Sequence, residues 1–297
     1  MTFHSEENSA RAKLALSMFI FGTIGIFRRG IVLPSSIIAL VRAVVGTLFL
    51  LGVILFKKQP IDRDAVRKNL KLLVLSGVLL GFNWILLFEA YQYTSVATAT
   101  LCYYMAPIFI ILASPLLFKE KLTLRKSICV AVALGGMVLV SGFAETGIAN
   151  ISEMKGVLFG LAAAVFYASV VLLNKSFRDI TAYDKTIMQL GLAAILLLPY
   201  TLLTENWGTL SWDTGSVVML LIMGVVHTGF AYAMYFGTTR SLSAQTLALF
   251  SYIDPIVAVL LSALLLKESM SLLSLVGAVA VLGSTIVSEL PEKTPYA

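Results

Sequence analysis

Residues 104–120 read YMAPIFIILASPLLFKE, and residues 252–268 read YIDPIVAVLLSALLLKE. The two stretches share the tyrosine, the first proline, the serine and the terminal Lys-Glu pair at one fixed offset of 148 positions. The same offset places the Gly-Phe pair at 81–82 on the Gly-Phe pair at 229–230, and further upstream only the hydropathy still matches. The chain therefore contains an internal duplication. In nearly continuous apolar sequence, this predicts a transporter with its binding site between two related halves.

The composition is that of an integral membrane protein. Of the 297 residues, 59% are hydrophobic and only 13% are charged, and the mean hydropathy is +0.92. A helix needs about 20 apolar residues to cross a hydrocarbon core of about 30 Å, and ten such segments can be placed along the chain. We predict ten transmembrane helices with no room for a soluble domain, at 13–32, 34–56, 70–91, 95–117, 124–143, 155–174, 182–203, 214–237, 243–266 and 271–290.

The positive charges are unevenly divided between the two sides of this predicted membrane domain. Almost all Lys and Arg residues fall on the side of the N-terminus, and only Arg28, Arg29, Lys155 and Lys267 fall on the other side. Because basic loops stay in the cytoplasm, we predict a multi-pass plasma-membrane protein with both termini cytoplasmic. The net charge of +6 then reflects topology and gives no reason to expect a nucleic-acid partner. The basic run at 57–71 could in addition contact anionic lipids.

Each half of the duplication carries five predicted helices, and this odd number has a geometric consequence. After five crossings the second half enters the membrane from the opposite face, so the two halves are inverted.

The sequence leaves the oligomeric state open and favours a monomer. The predicted order is a cytoplasmic tail, a first repeat, an outward linker, a second, inverted repeat and a cytoplasmic tail, at 1–12, 13–143, 144–154, 155–290 and 291–297.

Pro107 and Pro255 occupy equivalent positions in the two halves, near the middle of predicted helices. Proline removes a backbone donor and bends a helix, so the pair predicts two symmetric kinks. Such kinks could gate a central cavity or could be purely structural, and the sequence supports both interpretations.

Several short stretches carry a resemblance to a known family. They are ALVR at 39–42, YMAPIF at 104–109 leading to LLFKEKLT at 116–123, GFAY at 229–232, and YIDPI at 252–256 leading to LLLKE at 264–268. Together they resemble the drug/metabolite transporter (DMT) superfamily, in its ten-helix, two-repeat EamA-type branch, over essentially the whole chain. The resemblance implies an all-α membrane protein of two inverted five-helix repeats, with a substrate pathway lined by helices 1, 3, 4, 6, 8 and 9. It does not imply one substrate, since similar proteins move amino acids, drugs, sugars, nucleotide sugars and other metabolites.

Five ionisable residues stand out within the predicted helices, where a charge costs at least a few kcal/mol and usually faces a partner or a wet cavity. Asp254 could bind a proton or a cation, or it could be a structural acid that pairs with Arg42 or caps a broken helix. A structural ion pair is also the role that we predict for Arg42. His227 could titrate in proton coupling or could stay neutral and bonded to a carbonyl group. The five are Arg28, Arg42, Glu89, His227 and Asp254.

The embedded arginines outnumber the embedded acids. Arg28, Arg29 and Arg42 face only Glu89 and Asp254, which leaves one positive charge uncompensated if both acids ionise. We predict that Arg28, on a pathway helix, binds a substrate carboxylate with this surplus charge. Snorkelling of the guanidinium to the outer headgroups is the alternative.

Aromatic and amide side chains are concentrated on the helices of the implied pathway. Aromatic faces bind flat groups and cations by stacking, and amides hydrogen-bond polar groups. Helix packing is the alternative for most of these side chains, and for Asn83 it is equally good. The predicted substrate-binding set is Arg28, Asn83, Trp84, Tyr104, Tyr167, His227, Tyr232, Gln245 and Tyr252, with Asp254, Glu89 and Arg42 as coupling or structural ion-pair residues.

These features predict a secondary active transporter that moves small organic solutes by alternating access, and we expect export of amino acids or related metabolites. The sequence has no GxxxxGK[ST] motif, so gradients must supply the energy. The alternative is proton-coupled efflux of multiple drugs or lipophilic cations, against which the embedded arginines argue. A membrane-embedded enzyme or a receptor is more remote, because we find no nucleophile-base set or HExxH motif. We expect no cofactor and no metal, and as partners a small-molecule substrate, the lipid bilayer and, for coupling, protons.

Overall fold

The computed structural model describes residues 2–94, 99, 102–140, 151–266 and 272–289, and over these ranges the chain contains no β-strand. Residues 144–150 of the predicted linker at 144–154 lie outside the described residues, as do the tail at 291–297, Lys267 and the side chain of Arg29. The α-helices are α1 Thr2–Gly22, α2 Ile24–Arg29, α3 Ser35–Phe56, α4 Arg63–Lys68, α5 Leu70–Tyr93, α6 Ala106–Phe118, α7 Leu124–Val140, α8 Ile151–Ser176, α9 Ala182–Thr204, α10 Thr214–Ile222, α11 Ala231–Thr238, α12 Ala244–Phe250, α13 Ile253–Leu266 and α14 Leu272–Glu289. A 3₁₀ turn, Trp207–Thr209, precedes α10, and a π-helical stretch, Met223–Phe230, joins α10 to α11.

Six helical stretches within the described residues are long and apolar enough to cross a membrane. Large apolar side chains such as Phe56, Leu116 and Leu203 are 85 to 91% exposed, as expected of residues that face lipid. The chain is thus a helical, multi-pass membrane protein, while the count of ten helices and the inverted repeat stay predictions. The six stretches are Glu6–Arg28, Ser35–Phe56, Leu70–Tyr93, Met154–Ser176, Ala182–Thr204 and Thr214–Thr238.

Hydrogen bonds between helix ends define one end of the bundle. Lys57, just after α3, donates to the Tyr183 hydroxyl near the start of α9, 3.1 Å away. Lys185 of α9 donates to the Phe236 carbonyl oxygen near the end of α11, at 2.9 Å. We call this end, which contains Lys57, Lys175 and Lys185, the basic end. Because α3 ends where α9 begins, these two packed helices run in opposite directions.

The structure has helix breaks at the two places where the sequence predicted kinks. Helix α6 begins after a turn at 104–105, and α13 begins after a turn at 251–252. Pro107 and Pro255 both fall in the first turn of these helices, where a backbone N–H would have no partner within the helix. Each proline therefore starts a helix and does not bend a continuous one.

The π-helical stretch packs closely against α3. A Cβ atom added to Gly46 of α3 would lie 3.1 Å from the Gly229 backbone nitrogen, so even an alanine there would be crowded. Small residues let helices approach closely in membranes, where packing and hydrogen bonds hold helices together. The glycines therefore allow side chains of α3 to reach the polar groups of Met223–Phe230.

Candidate functional site

A cavity of about 180 Å³ lies between α1, α3, α5, α8, α11 and the two broken helices. The structure brings together seven residues that the sequence singled out: Arg42, Trp84, Tyr104, Pro107, Tyr167, Tyr232 and Asp254. The resemblance implied a pathway without the second helix, and α3 is therefore an addition to the predicted lining. The other lining residues are Met18, Phe21, Ile24, Ala39, Leu87, Phe88, Tyr103, Ala106 and Ser251.

Arg42 is the basic residue of the cavity. Its Nε donates to the Thr228 hydroxyl at 3.0 Å, and its guanidinium carbon lies 5.9 Å from the centre of the Trp84 ring. Among the described residues, no carboxylate oxygen lies within 4.0 Å of its nitrogens, so the structural ion pair with Asp254 is not formed here. Since a guanidinium has five N–H donors and only Nε is bonded within the described part of the chain, the terminal nitrogens keep donors for a ligand.

Asp254 is the acidic residue of the cavity. It is the second residue of α13, in the first turn after the break, where the helix dipole favours a negative charge. The Tyr104 hydroxyl lies beside its carboxyl group and interacts with it. The cavity thus contains one cation and one carboxyl group that do not neutralise each other directly.

Aromatic rings form much of the cavity wall. Trp84 and Tyr232 are only 8 and 9% exposed, and their rings meet edge to face with centres 6.2 Å apart. Tyr103 and Tyr167 pack with ring centres 5.5 Å apart, and the ring centres of Phe21 and Tyr232 are 5.3 Å apart. Such walls suit an apolar or flat group and disfavour water.

Arg28 and Glu89 do not line the cavity. Arg28 donates to the Ile31 carbonyl oxygen at 2.8 Å and so satisfies a backbone group just beyond α2. Glu89 accepts a hydrogen bond of 2.6 Å from the Tyr200 hydroxyl of α9. Arg28 therefore lies apart from the predicted residues that the cavity brings together.

Two further predicted residues are buried and do not line the cavity. Asn83 is fully buried and donates to the Ala163 carbonyl oxygen at 2.7 Å, which ties α5 to α8. Tyr252 is also fully buried and packs in a cluster with Met137 and Val281 of α7 and α14. Both side chains therefore pack between helices in this structure.

His227 lies in the π-helical stretch, beside the cavity and not on its lining. Its Nε2 is 2.8 Å from the Thr23 hydroxyl, at the break between α1 and α2, and Phe27 packs edge to face on its ring. Its Nδ1 is buried, and no hydrogen-bond partner for it lies among the residues that the structure describes. His227 therefore anchors the first membrane span to the eighth predicted one.

Gln245 belongs to a hydrogen-bond network at the basic end. The Glu120 carboxylate accepts from the backbone N–H groups of Ala244 and Gln245, at 2.9 and 3.4 Å, and pairs with Lys175 at 3.4 Å. The Gln245 side chain donates to the Ser114 hydroxyl at 3.2 Å. This network, which we call the Glu120 network, joins the ends of α6 and α8 to the start of α12.

A larger groove, of about 810 Å³, lies near the basic end. Its wall is mainly apolar and includes Val53, Phe230 and Met234, and Glu6 and Lys13 are its charged residues. Phe230 is 47% exposed, as expected of a surface that lipid covers. The groove contains none of the predicted substrate-binding residues, so we place the site in the smaller cavity.

The cavity offers groups for binding a solute. Within the described residues, no cluster of three or more His, Cys, Asp or Glu side chains could hold a metal ion. A guanidinium, a carboxyl group and tyrosine hydroxyls are placed at separate points of an aromatic wall. This arrangement complements a small molecule that carries separate polar groups on an apolar body.

Comparison with known proteins agrees with this architecture. The model of the EamA-like transporter family matches the chain twice, over residues 12–142 and 154–289. The "uncharacterized transporter YxxF" of Bacillus subtilis is 30% identical over 86% of this chain and 81% of its own length. An "uncharacterized transporter" of Archaeoglobus fulgidus is 27% identical over 93 and 95% of the two chains, and protein PecM of Dickeya dadantii is 28% identical over 73 and 72%.

A solved crystal structure shares the fold. It superposes with a TM-score of 0.85 at 18% sequence identity, over 95% of this chain and 98% of the other. At this identity the likeness concerns the fold alone. The two matches to the family model cover most of the sequence and confirm the resemblance drawn from the motifs, so the chain belongs to the EamA-like transporter family of the drug/metabolite transporter superfamily.

Proposed function

We propose that the protein is a secondary active transporter that exports amino acids or related metabolites across the plasma membrane, with both termini in the cytoplasm. In this proposal, ten helices form two inverted repeats that alternate access to the cavity. Membership of a transporter family supports the general activity. The observation that carries the substrate class is the cavity itself, where Arg42 and Asp254 have no ion-pair partner among the described residues.

A zwitterion with an apolar body fits these groups best. Its carboxylate would meet the Arg42 guanidinium, in the charge-assisted geometry that arginine favours. Its ammonium group would meet Asp254 and the neighbouring Tyr104 hydroxyl, and its side chain would pack against Trp84 and Tyr232. A substrate with both charges compensates both residues at once, which neither a lipophilic cation nor a simple acid does.

The size of the cavity also favours a small solute. Its volume, about 180 Å³, is below the range of about 300 to 1,000 Å³ that is usual for sites of drug-sized ligands. A cavity of this size suits one amino acid better than the bulky cargo of a multidrug exporter. The alternative, proton-coupled efflux of lipophilic cations, is further disfavoured by the positive charge of Arg42.

The Glu120 network supplies a physical basis for alternating access. It ties the end of α6 to the start of α12, and both segments adjoin helices that line the cavity. Opening a path toward the basic end would separate Glu120 from the α12 N-terminus and from Lys175. In the proposed cycle, the compensated charges of a bound zwitterion lower the cost of this rearrangement inside the membrane.

The test is counterflow in liposomes that contain the purified protein. Vesicles loaded with unlabelled L-phenylalanine should accumulate radiolabelled L-phenylalanine from outside. Arg42→Gln should abolish this exchange, while Arg28→Gln, which changes an arginine away from the cavity, should retain it. A result in which tetraphenylphosphonium moves along a pH gradient, and no amino acid exchanges, would favour the multidrug alternative.

A further inference from the structure

Thr228 lies fully buried in the π-helical stretch, and its hydroxyl both donates and accepts a hydrogen bond. The hydroxyl donates to the Met223 carbonyl oxygen, five residues earlier, at 3.0 Å. It accepts from Nε of Arg42, also at 3.0 Å. In a regular α-helix, a threonine hydroxyl bonds three or four residues back. The contact with Met223 is therefore a product of the π-helical geometry, which often marks functional positions.

Arg42 is held from two sides by fixed groups. Thr228 binds Nε, and the Trp84 ring lies 5.9 Å from the guanidinium carbon. The close packing of Gly46 on Gly229 keeps α3 and the π-helical stretch in register. With Nε bonded, the two terminal nitrogens of this lining residue remain as a pair of donors that a ligand can bind.

The neighbouring residue anchors the same stretch on its other side. His227 contacts the Thr23 hydroxyl at 2.8 Å, at the break between α1 and α2. Consecutive residues of the π-helical stretch thus bind two different helices. The position of the Thr228 hydroxyl relative to the cavity is therefore fixed by packing with α1 and with α3.

We propose that Thr228 is a positioning residue that holds the Arg42 guanidinium with its two terminal nitrogens aimed at a substrate carboxylate. Both oxygens of a planar carboxylate can bind this pair of nitrogens, whereas a neutral amide presents only one acceptor oxygen. Thr228 thereby sets the preference for a carboxylate over an amide without touching the ligand. This inference rests on the proposed function, because it assumes a substrate carboxylate at Arg42.

The test compares binding of L-phenylalanine and L-phenylalaninamide to the full-length protein in lipid nanodiscs. Thr228→Val keeps the shape and removes the hydroxyl, and it should lower the preference for the carboxylate about tenfold, the scale of a hydrogen bond to a charged group. Thr228→Ser keeps the hydroxyl and should retain the preference. Thr238→Val is the matched control, since Thr238 is a buried threonine of α11 whose hydroxyl donates to the Tyr235 carbonyl oxygen of its own helix.

The outcomes separate this inference from the proposed function. If Arg42→Gln loses the preference and Thr228→Val keeps it, positioning by Thr228 is wrong and the proposed function stands. If the wild type shows no preference, or if Arg42→Gln keeps the wild-type preference, the proposed function itself fails. An equal loss for acid and amide in Thr228→Val, or the same loss in Thr238→Val, would also overturn positioning. If Thr228→Val does not fold, Thr228→Ala is measured in its place, alone and combined with Arg42→Gln. In the combined variant, the Thr228 change should have no further effect on the preference for the carboxylate.

Discussion

The charged side chains of the Glu120 network, at the basic end, differ from those of the cavity in whether the protein itself supplies an ion-pair partner. Glu120 accepts two backbone N–H groups and pairs with Lys175, and both side chains are only about one-sixth exposed. Arg42 and Asp254 lie deeper in the bundle, yet neither has an ion-pair partner among the residues that the structure describes. The buried charges that hold the helix ends together are thus satisfied by the protein itself.

This difference indicates which charges serve the fold and which serve a ligand. A charge within the bilayer is expensive unless a partner compensates it. In the Glu120 network the partner is part of the chain, so the cost is recovered on folding. In the cavity no such partner lies among the described residues, and we expect a transported molecule to supply it. Removing a charge should therefore destabilise the protein in the Glu120 network and should not do so in the cavity.

The largest effect is expected at Glu120. Glu120→Ala leaves Lys175 and the first N–H groups of α12 without their acceptor, and we expect a loss of about 3 kcal/mol in unfolding free energy. Thermal unfolding in detergent measures this loss. Glu7→Ala is the control, because Glu7 forms a half-exposed pair with Arg11 one helical turn away and should cost under about 0.5 kcal/mol. Equal effects of the two changes would refute the structural role of the Glu120 network.

A change of the opposite sign is expected at Arg42. Arg42→Met removes a charge without an ion-pair partner, so the unfolding free energy should stay unchanged or rise by up to about 1 kcal/mol. The lost bond to Thr228 and the lost contact with Trp84 limit the gain. The sign of the shift in melting temperature shows whether Arg42→Met stabilises or destabilises the protein. A fall as large as that of Glu120→Ala would mean that Arg42 holds the fold together.

The smallest effect is expected at Arg28. Arg28→Gln removes one hydrogen bond to the Ile31 carbonyl oxygen, at a partly exposed position, and should cost about 0.5 kcal/mol. The preference for a carboxylate over an amide ligand should stay at the wild-type value. A loss of that preference would return the carboxylate-binding role to Arg28.

The sequence predicted much of the cavity because its chemistry is unusual for a membrane segment. Asp254, Arg42 and Trp84 stand out as ionisable or aromatic residues within apolar runs, and hydropathy places them near the membrane interior. Depth alone does not give the direction in which a side chain points. Arg28 is on a pathway helix, yet it binds a backbone carbonyl group beyond α2. Tyr252 lies in the turn before α13 and packs toward α7 and α14.

Other features have no clear signal in the sequence. The π-helical stretch shifts every later side chain of its span relative to an α-helix, and no residue pattern announces it. Thr228 is therefore an ordinary small polar residue in the sequence, and only the structure places it on Arg42. The Lys-Glu pair at 119–120 was visible as a repeated motif. Its contacts with Lys175 and with the start of α12 depend on tertiary packing that hydropathy does not give.

The most direct test of the central claim is a binding comparison that varies the charges of ligand and protein together. L-phenylalanine, its amide and its N-acetyl derivative are titrated onto the wild type, Arg42→Gln and Asp254→Asn. The account predicts that the wild type prefers L-phenylalanine over both derivatives by at least about tenfold, the scale of one charge-assisted hydrogen bond. Arg42→Gln should lose only the preference over the amide, and Asp254→Asn only the preference over the N-acetyl derivative. Wild-type preferences in both folded variants would contradict the claim that these two charges are reserved for a zwitterionic substrate.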